Sequence, residues 1–564
     1  MIDLQIRNAT VFDGAGGQGL IQHVGVDNGR IVSVGSETQA ARDIIDAAGL
    51  ALMPGIIDNH THYDAQVTWD RLVSPSPRLG VTTAVIGNCG FTIAPCRPGD
   101  RDLIMRNLTQ VEGMSMDVLR AGIDWQFESV PEYLDFLEQQ GCLINLAAFV
   151  GHSSVRTYVM GDDAARREAT PDEIHQMHTL VIDGLKAGAI GFATSTSPAH
   201  NGHGGLPMPS RLADTVEMET LVQTVGEVGH GVFMLTKGGH TPIPWLEELA
   251  SRTGRPVVIA AILHNSTNPR VVFDDLDAIE AGRQRGREMY GAISPCPLTN
   301  DFTLKSPYPV EGLVAWKPAL GKSGEALKAV LSDPDFRRAV REEISQPASF
   351  RLFNAEWDKV NVVETSLAHN ASLEQRFIAD IAAERNADPL DVLLDLAIEE
   401  DLATVFSAVL LNSDESAVGQ MLNHPASLVS LSDAGAHLTF FNDAGFGLHL
   451  LGHWVRELKV LELGEAIAAL TSKPAAIFGF TDRGSIQVGY HADLMLFDPA
   501  TIGRGPKYRT HDLPGSGTRL MTDPVGIHGV WVSGVRIVGE DGNLVHHAKD
   551  SLPGRLIRFG SHQV

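Results

Sequence analysis

The segment Ala51-Leu52-Met53-Pro54-Gly55-Ile56-Ile57-Asp58-Asn59-His60-Thr61-His62 joins a short apolar run to two histidines separated by one residue. Side chains two positions apart on a β-strand point to the same side, so His60 and His62 are expected to direct both imidazoles to one point just beyond a strand. Neutral imidazole is the most common protein ligand for Zn²⁺-like ions. An H-x-H pair alone is equally compatible with two polar loop histidines, so its interpretation depends on the rest of the chain.

The composition is that of a large globular protein with an acidic balance. The chain has 564 residues, 43% apolar and 20% charged, which suits a large α/β domain with an accessory domain. No apolar run approaches the roughly 20 residues of a membrane helix, and the N-terminus lacks the features of a signal peptide. The net charge of -25 disfavours nucleic acid and anionic membranes as partners, so the expected partner is a small molecule. Four cysteines in so long a chain are too few for a disulfide framework, so a reducing cytoplasm is the expected location. A homo-oligomer is compatible with the sequence.

The order of the apolar segments predicts the fold class. Strands alternate with helices through the middle of the chain, which is typical of an α/β protein with a parallel sheet. The eight candidate strands match the number in a (β/α)8 barrel of the TIM type. They span residues 51–57, 82–86, 145–150, 189–194, 231–235, 257–263, 289–293 and 428–431.

Short alternating strands at both ends of the chain predict an accessory β-domain. We expect a small β-sandwich built from residues 1–50 and 481–564, with Asp27-Asn28-Gly29 as a hairpin turn. The barrel then occupies residues 51–480. A helical excursion near residues 310–425 is expected to cover its functional site.

Side chains suited to catalysis or metal binding follow six of the predicted barrel strands, at the ends where barrel enzymes place their active sites. Each of these residues also has an ordinary explanation: the cysteine as a small buried residue, a histidine as a polar loop residue, the lysine as half of an ion pair, and the aspartate as a helix N-cap. The order in which they follow the strands is therefore the feature that is specific for a metal site. A buried lysine can also react with CO₂ to form a carbamate that bridges two metal ions, which avoids an unpaired buried ammonium. The residues are His60 and His62, Cys89, His152, Lys237, His264 and Asp433.

These residues and their flanking motifs resemble the metal-dependent amidohydrolase superfamily, most closely the N-acyl-D-amino-acid deacylases (D-aminoacylases). The resemblance extends over nearly the whole chain. It includes Asn8-Ala9-Thr10-Val11-Phe12-Asp13-Gly14, Met53-Pro54-Gly55-Ile56-Ile57-Asp58-Asn59-His60-Thr61-His62, Gly87-Asn88-Cys89-Gly90, Gly151-His152, Ser432-Asp433-Ala434-Gly435-Ala436-His437 and Gly484-Ser485-Ile486-Gln487-Val488-Gly489-Tyr490-His491-Ala492-Asp493-Leu494.

The resemblance implies a barrel with a terminal β-sandwich, one or two Zn²⁺ ions, and hydrolysis of an amide-type C–N bond. By position, the family pattern assigns one metal ion to His60, His62 and Asp433. It assigns a neighbouring ion to Cys89 and His264, with a carboxylated Lys237 as a candidate bridge.

Two departures from the family pattern affect the substrate and the second metal. The deacylases have a histidine ligand after the fifth strand, where this chain has Thr236-Lys237. They also have a lysine that binds the substrate carboxylate two residues after the strand-six histidine, where this chain has Ser266. We assign Ser266 and Arg156 to substrate binding.

The predicted reaction is hydrolysis of an N-acyl (D-)amino acid or a related N-acyl compound by metal-activated water. Asp433 is expected to act as the general acid–base, and His152 or His240 to stabilise the oxyanion. The alternatives are hydrolysis of a cyclic amide or an N-formyl compound, deamination, and a catalytically silent barrel that only binds ligands.

Overall fold

The computed structural model describes residues 1–348, 351–437, 439–545 and 552–560. Within these ranges, no helix has the length and apolarity needed to cross a membrane. The described residues form three hydrophobic cores: one of the barrel strands and the helices around them, one within the excursion, and one within the terminal sheet.

The barrel contains eight parallel strands in sequential order, which confirms the predicted fold class. The predicted first strand is divided at Gly55. Its first half, Ala51–Pro54, belongs to the terminal sheet, and its second half, Ile56–Asp58, belongs to the barrel. The eighth strand returns to the first, where the Asn59 side chain donates to the carbonyl of Val429 (2.9 Å). The barrel strands are Ile56–Asp58, Val81–Ile86, Asn145–Gly151, Gly191–Ser195, Val232–Thr236, Val257–Ile262, Met289–Ile293 and Ser427–Val429.

Crossover helices surround the barrel. Sequence features define their ends: Thr170 and Glu173 form a reciprocal capping box and Pro171 occupies the first helical position of Pro171–Lys186. The other helices around the barrel are Arg101–Val111, Met116–Gly122, Val130–Gln140, His152–Met160, Thr215–Val228, Ile243–Thr253, Val271–Gln284, Glu415–Leu422, Phe446–His449 with its π-helical continuation Leu450–Glu457, Leu463–Leu470 and Ser472–Phe478.

Strands from both chain ends form one mixed eight-stranded sheet. The predicted hairpin is confirmed: Asp27 pairs with Arg30, and Asn28 and Gly29 adopt positive φ angles of 48° and 76°, as a two-residue type I′ turn requires. Residues 552–560 lie outside this sheet and contact the third barrel strand through Leu556. The sheet strands are Ile2–Val11, Leu20–Asp27, Arg30–Gly35, Ala41–Asp46, Ala51–Pro54, Leu494–Phe497, Ile527–Val532 and Val535–Val538, and a separate hairpin pairs Gly503–Leu513 with Gly517–Val525.

The excursion between the last two barrel strands is only partly helical. Its helices pack on a three-stranded antiparallel sheet with a core around Trp316, Phe336 and Phe406. The backbone N–H of Asp301 donates to the carbonyl of Phe440, so the excursion contacts the loop that follows the eighth barrel strand. Its strands are Leu298–Phe302, Val360–Glu364 and Val405–Leu411, and its helices are Gly324–Leu331, Pro334–Ser345, Ile378–Arg385 and Pro389–Glu399.

Candidate metal centre

Four donor side chains converge at the carboxyl end of the barrel. One ligand atom from each of His60, His62 and Cys89 lies within 4.8 Å of the others, and all three residues are buried. Asp433 Oδ1 lies 3.1 Å from His60 Nε2 and 3.5 Å from His62 Nε2. The first, second and eighth strands thus direct two imidazoles, a thiol and a carboxylate to one place.

The backbone that closes the barrel also holds the cluster. The His62 N–H donates to the carbonyl of Ala434 (2.8 Å), and the Asp433 N–H donates to that of His60 (3.2 Å). The seam between the first and eighth strands therefore fixes the two histidines relative to Asp433. Asp433 itself has φ 47°, a left-handed conformation that a non-glycine residue rarely adopts.

Cys89 reaches the cluster through a glycine-rich turn after the second strand. Cys89 has φ 58° and its neighbour Gly90 has φ 76°; a Cβ at Gly90 would lie 2.5 Å from the carbonyl oxygen of Ala193. Only glycine allows this close backbone approach, which brings the Cys89 Sγ to 3.6 Å from His60 Nε2. The same sulfur lies 3.1 Å from Thr236 Oγ1, so a hydroxyl at the end of the fifth strand contacts the thiol.

Burial and the neighbouring histidines shift the pKa values of the cluster in different directions. Burial by itself raises the pKa of Asp433, but hydrogen bonds and charge from His60 and His62 outweigh it and hold that pKa well below its usual range. Burial lowers the pKa of His62 to about 4 and raises the pKa of the Cys89 thiol well above its usual value. A cation at the cluster would offset the burial of the thiolate, because a coordinating metal deprotonates a thiol.

The donor chemistry fits a zinc-like ion. Nitrogen, sulfur and carboxylate oxygen donors together are typical of Zn²⁺ sites. Among the described residues, His62 Nδ1 is a buried polar atom without a hydrogen-bond partner, as is each carboxylate oxygen of the adjacent Glu112. Neutral imidazole and buried carboxylates around one point are unfavourable without a compensating positive charge.

The structure places Lys237 away from the cluster, so its predicted role as a carboxylated metal bridge stays a prediction. Its Nζ lies 2.7 and 2.6 Å from the two carboxylate oxygens of Asp275, on the crossover helix Val271–Gln284. This is the ion-paired alternative rather than a bridging carbamate. Successive strand residues face opposite sides, so Thr236 faces the cluster and Lys237 faces the helices.

His264 is likewise not brought to the cluster. It lines a cavity of about 410 Å³ with Arg270 and Asp414, and its backbone N–H donates to Asn412 of the excursion. The ladder between the sixth and seventh strands shifts register between Ile259 and Ile262, just before this residue. Such an irregularity reorients the side chains that follow it, which the apolar pattern of the strand does not reveal.

His152 and Arg156 form a buried network with Glu217. The two ring nitrogens of His152 lie 2.8 Å from Glu217 Oε1 and 2.7 Å from Thr194 Oγ1, and Arg156 pairs with the other oxygen of Glu217. Burial lowers the pKa of His152, which favours the neutral ring that donates to Glu217 and accepts from Thr194. Both nitrogens of His152 are thus engaged, and Arg156 is paired with a carboxylate on the helix Thr215–Val228. Their predicted roles as oxyanion donor and substrate contact stay predictions.

The other two predicted residues lie in loops. His240 is exposed after the fifth strand, and Ser266 is half-buried after the sixth. Their predicted roles as oxyanion donor and substrate contact stay predictions.

Several site residues carried no sequence motif. Glu112 directly follows the helix Arg101–Val111, and its Oε1 lies 3.3 Å from His62 Nδ1. His200 donates to or accepts from Ser195 Oγ (2.7 Å), packs against Phe91, and has its pKa lowered to about 3 by burial and the neighbouring His437. The sequence around Glu112 contains one signal, the following glycine, which is typical of the end of a helix. That signal says nothing about where the Glu112 side chain lies.

The barrel and the cluster of histidines, cysteine and aspartate at its carboxyl end agree with the family that comparison with known proteins identifies. Residues 43–538 match the amidohydrolase family model, so the chain belongs to the amidohydrolase family.

Relatives within the family are similar over nearly their whole length. The D-aminoacylase of Alcaligenes xylosoxydans xylosoxydans is 28% identical over 97% of this chain and 96% of its own. The N-acyl-D-aspartate deacylase of the same organism is 29% identical over 95% of this chain and 92% of its own. One solved structure is of a D-aminoacylase, described in terms of a binuclear metal center with one-metal activation and second-metal attenuation. Its sequence is 26% identical to this chain, and the structural match has a TM-score of 0.65 and covers 99% of this chain and 100% of the other.

Proposed function

We propose that this amidohydrolase uses a single divalent cation, with Zn²⁺ preferred, to hydrolyse the amide bond of an N-acyl (D-)amino acid or a related N-acyl compound. The convergence of His60, His62, Cys89 and Asp433 carries the proposal. The similarity to D-aminoacylase and N-acyl-D-aspartate deacylase supports the bond type.

A single cation is favoured by the residues around the cluster. Thr236 lies beside Cys89, at the position where the resemblance to the deacylases implies a histidine, and Lys237 is paired with Asp275. His264 lines a different cavity. Among the residues that the structure describes, neither Lys237 nor His264 joins the cluster, which supports one ion rather than two.

When bound, the cation supplies a Lewis acid and lowers the pKa of water from 15.7 toward about 7. His60, His62 and Cys89 would hold it, and Asp433 would both contact it and transfer the proton. A carboxylate at the position of Asp433 would accept a proton from the attacking water and return it to the leaving nitrogen.

The test combines metal analysis with the Asp433→Asn variant. Purified wild-type protein should contain about one equivalent of Zn²⁺. Asp433→Asn keeps the size of the side chain but removes the base, so the rate should fall by about 10²–10⁴-fold. A panel of N-acyl-D- and N-acyl-L-amino acids, cyclic imides and formamides identifies the substrate. Full activity in Asp433→Asn, or a wild-type protein without stoichiometric metal, would contradict the proposal.

A further inference from the structure

Glu112 is a buried carboxylate beside a proposed metal ligand, and no other role accounts for it. It is 1% exposed. Among the residues that the structure describes, neither of its carboxylate oxygens has a hydrogen-bond partner. Burying an unpaired carboxylate is strongly unfavourable, so an arrangement that retains one has a use for it.

His62 lies between two carboxylates. Its Nε2 faces Asp433 Oδ1 at 3.5 Å, on the side of the cluster, and its Nδ1 faces Glu112 Oε1 at 3.3 Å, on the opposite side of the ring. The Nδ1 contact is within reach of a hydrogen bond but is not aligned for one. Hydrogen bonds in catalytic sites are often long or poorly aligned while the site is empty and tighten only when it is filled.

The backbone holds Glu112 in this position. Its N–H completes the last turn of the helix by donating to Leu108 (3.1 Å), and its carbonyl accepts from the N–H of His437. The next residue, Gly113, has φ 63°, and a Cβ there would lie 2.8 Å from the Phe440 ring. The end of the helix is thus joined to the loop that contains Asp433 and His437, which follows the eighth strand. This contact fixes the Glu112 carboxylate relative to the cluster.

On this basis, and resting on the proposed metal site, we propose that Glu112 is the positioning residue for His62. By accepting the Nδ1 proton it fixes the tautomer whose Nε2 lone pair points at the cation. Carboxylates behind metal-bound histidines commonly orient the ring and raise its basicity. In this role Glu112 would act on the cation through His62, so its expected effect is on metal affinity.

The variants Glu112→Ala and Glu112→Gln test this role through Zn²⁺ affinity, measured by competition with a chromophoric chelator. Loss of such a carboxylate typically weakens metal binding by about 10–100-fold, which is the expected result for Glu112→Ala. Glu112→Gln keeps an accepting oxygen in the same place, so it should restore part of the affinity. Thermal unfolding of the metal-free proteins separates positioning from a structural role: Glu112→Ala should be no less stable than wild type, because it removes a buried group without hydrogen-bond partners.

Glu400→Gln is the matched control. Glu400 is also a buried glutamate directly after a helix, but it accepts from the backbone N–H groups of Ser366 and Leu367 in the excursion. We expect this variant to lower the stability and leave the Zn²⁺ affinity of the folded protein unchanged.

The outcomes separate this inference from the proposed function. If wild-type protein binds no Zn²⁺, both fail. If wild type binds Zn²⁺ and Glu112→Ala binds it within twofold of wild type, only the role of Glu112 is refuted. If Glu112→Ala does not fold, Glu112→Met decides, because methionine is similar in size and lacks the accepting oxygens, and wild-type affinity in that variant would refute the role.

Discussion

Replacing Lys237 by methionine separates its two possible roles, an ion pair and a carboxylated metal bridge. In the structure, its ammonium contacts both oxygens of Asp275 at 2.7 and 2.6 Å, with side chains 24% and 17% exposed. Exposed pairs contribute about 0.2–1 kcal/mol, and breaking a fully buried pair costs about 3–5 kcal/mol. This partly exposed pair falls between, so Lys237→Met should reduce the free energy of unfolding by about 1–2 kcal/mol. The Tm should fall by about 1–3 °C, because the entropy of unfolding is large for a long chain.

A double-mutant cycle with Asp275→Leu gives the interaction free energy directly. Each single variant leaves one charge without its partner, whereas the double variant removes both. The destabilisation of the double variant should therefore be less than the sum of the two single values, by about 1 kcal/mol.

Metal content provides the decisive assay for Lys237. Zinc per chain, measured by atomic emission after dialysis with and without bicarbonate, should be identical in wild type and Lys237→Met. Loss of an equivalent of zinc in the variant, or zinc binding that depends on bicarbonate, would show that a carbamate forms and would refute the ion-pair assignment.

The remaining predictions concern Cys89 and Asp482. Cys89→Ser should weaken Zn²⁺ binding much more than Mn²⁺ binding, because a thiolate is a soft ligand; Cys142→Ser, at another buried cysteine, is the control, and equal loss of both metals would argue against sulfur ligation. Hydrogen bonding from His491 lowers the pKa of Asp482 to about 2, below its ordinary value of 3.8. Its contribution to stability is therefore complete above about pH 4 to 5 and lost as the pH falls toward 2, and Asp482→Asn should flatten thermal stability against pH in that range.

The sequence determined the features that depend on neighbours in the chain. Alternation along a strand placed His60 and His62 on the same side, and Asn28-Gly29 specified a two-residue turn because both positions need positive φ. The succession of apolar strands and helices was sufficient for the barrel, since parallel strands require crossover connections. These patterns arise within a few residues, so they can be recognised before folding is considered.

Tertiary structure alone decided which distant groups meet. Alternation predicts that Thr236 and Lys237 face opposite sides, but only the packed barrel shows that Thr236 faces Cys89 while Lys237 meets Asp275. The register shift before His264 and the approach of Glu112 to His62 likewise depend on how separate elements pack. A side chain's partner across the fold is set by the register and packing of elements far apart in the chain, and no local pattern of residues encodes that arrangement.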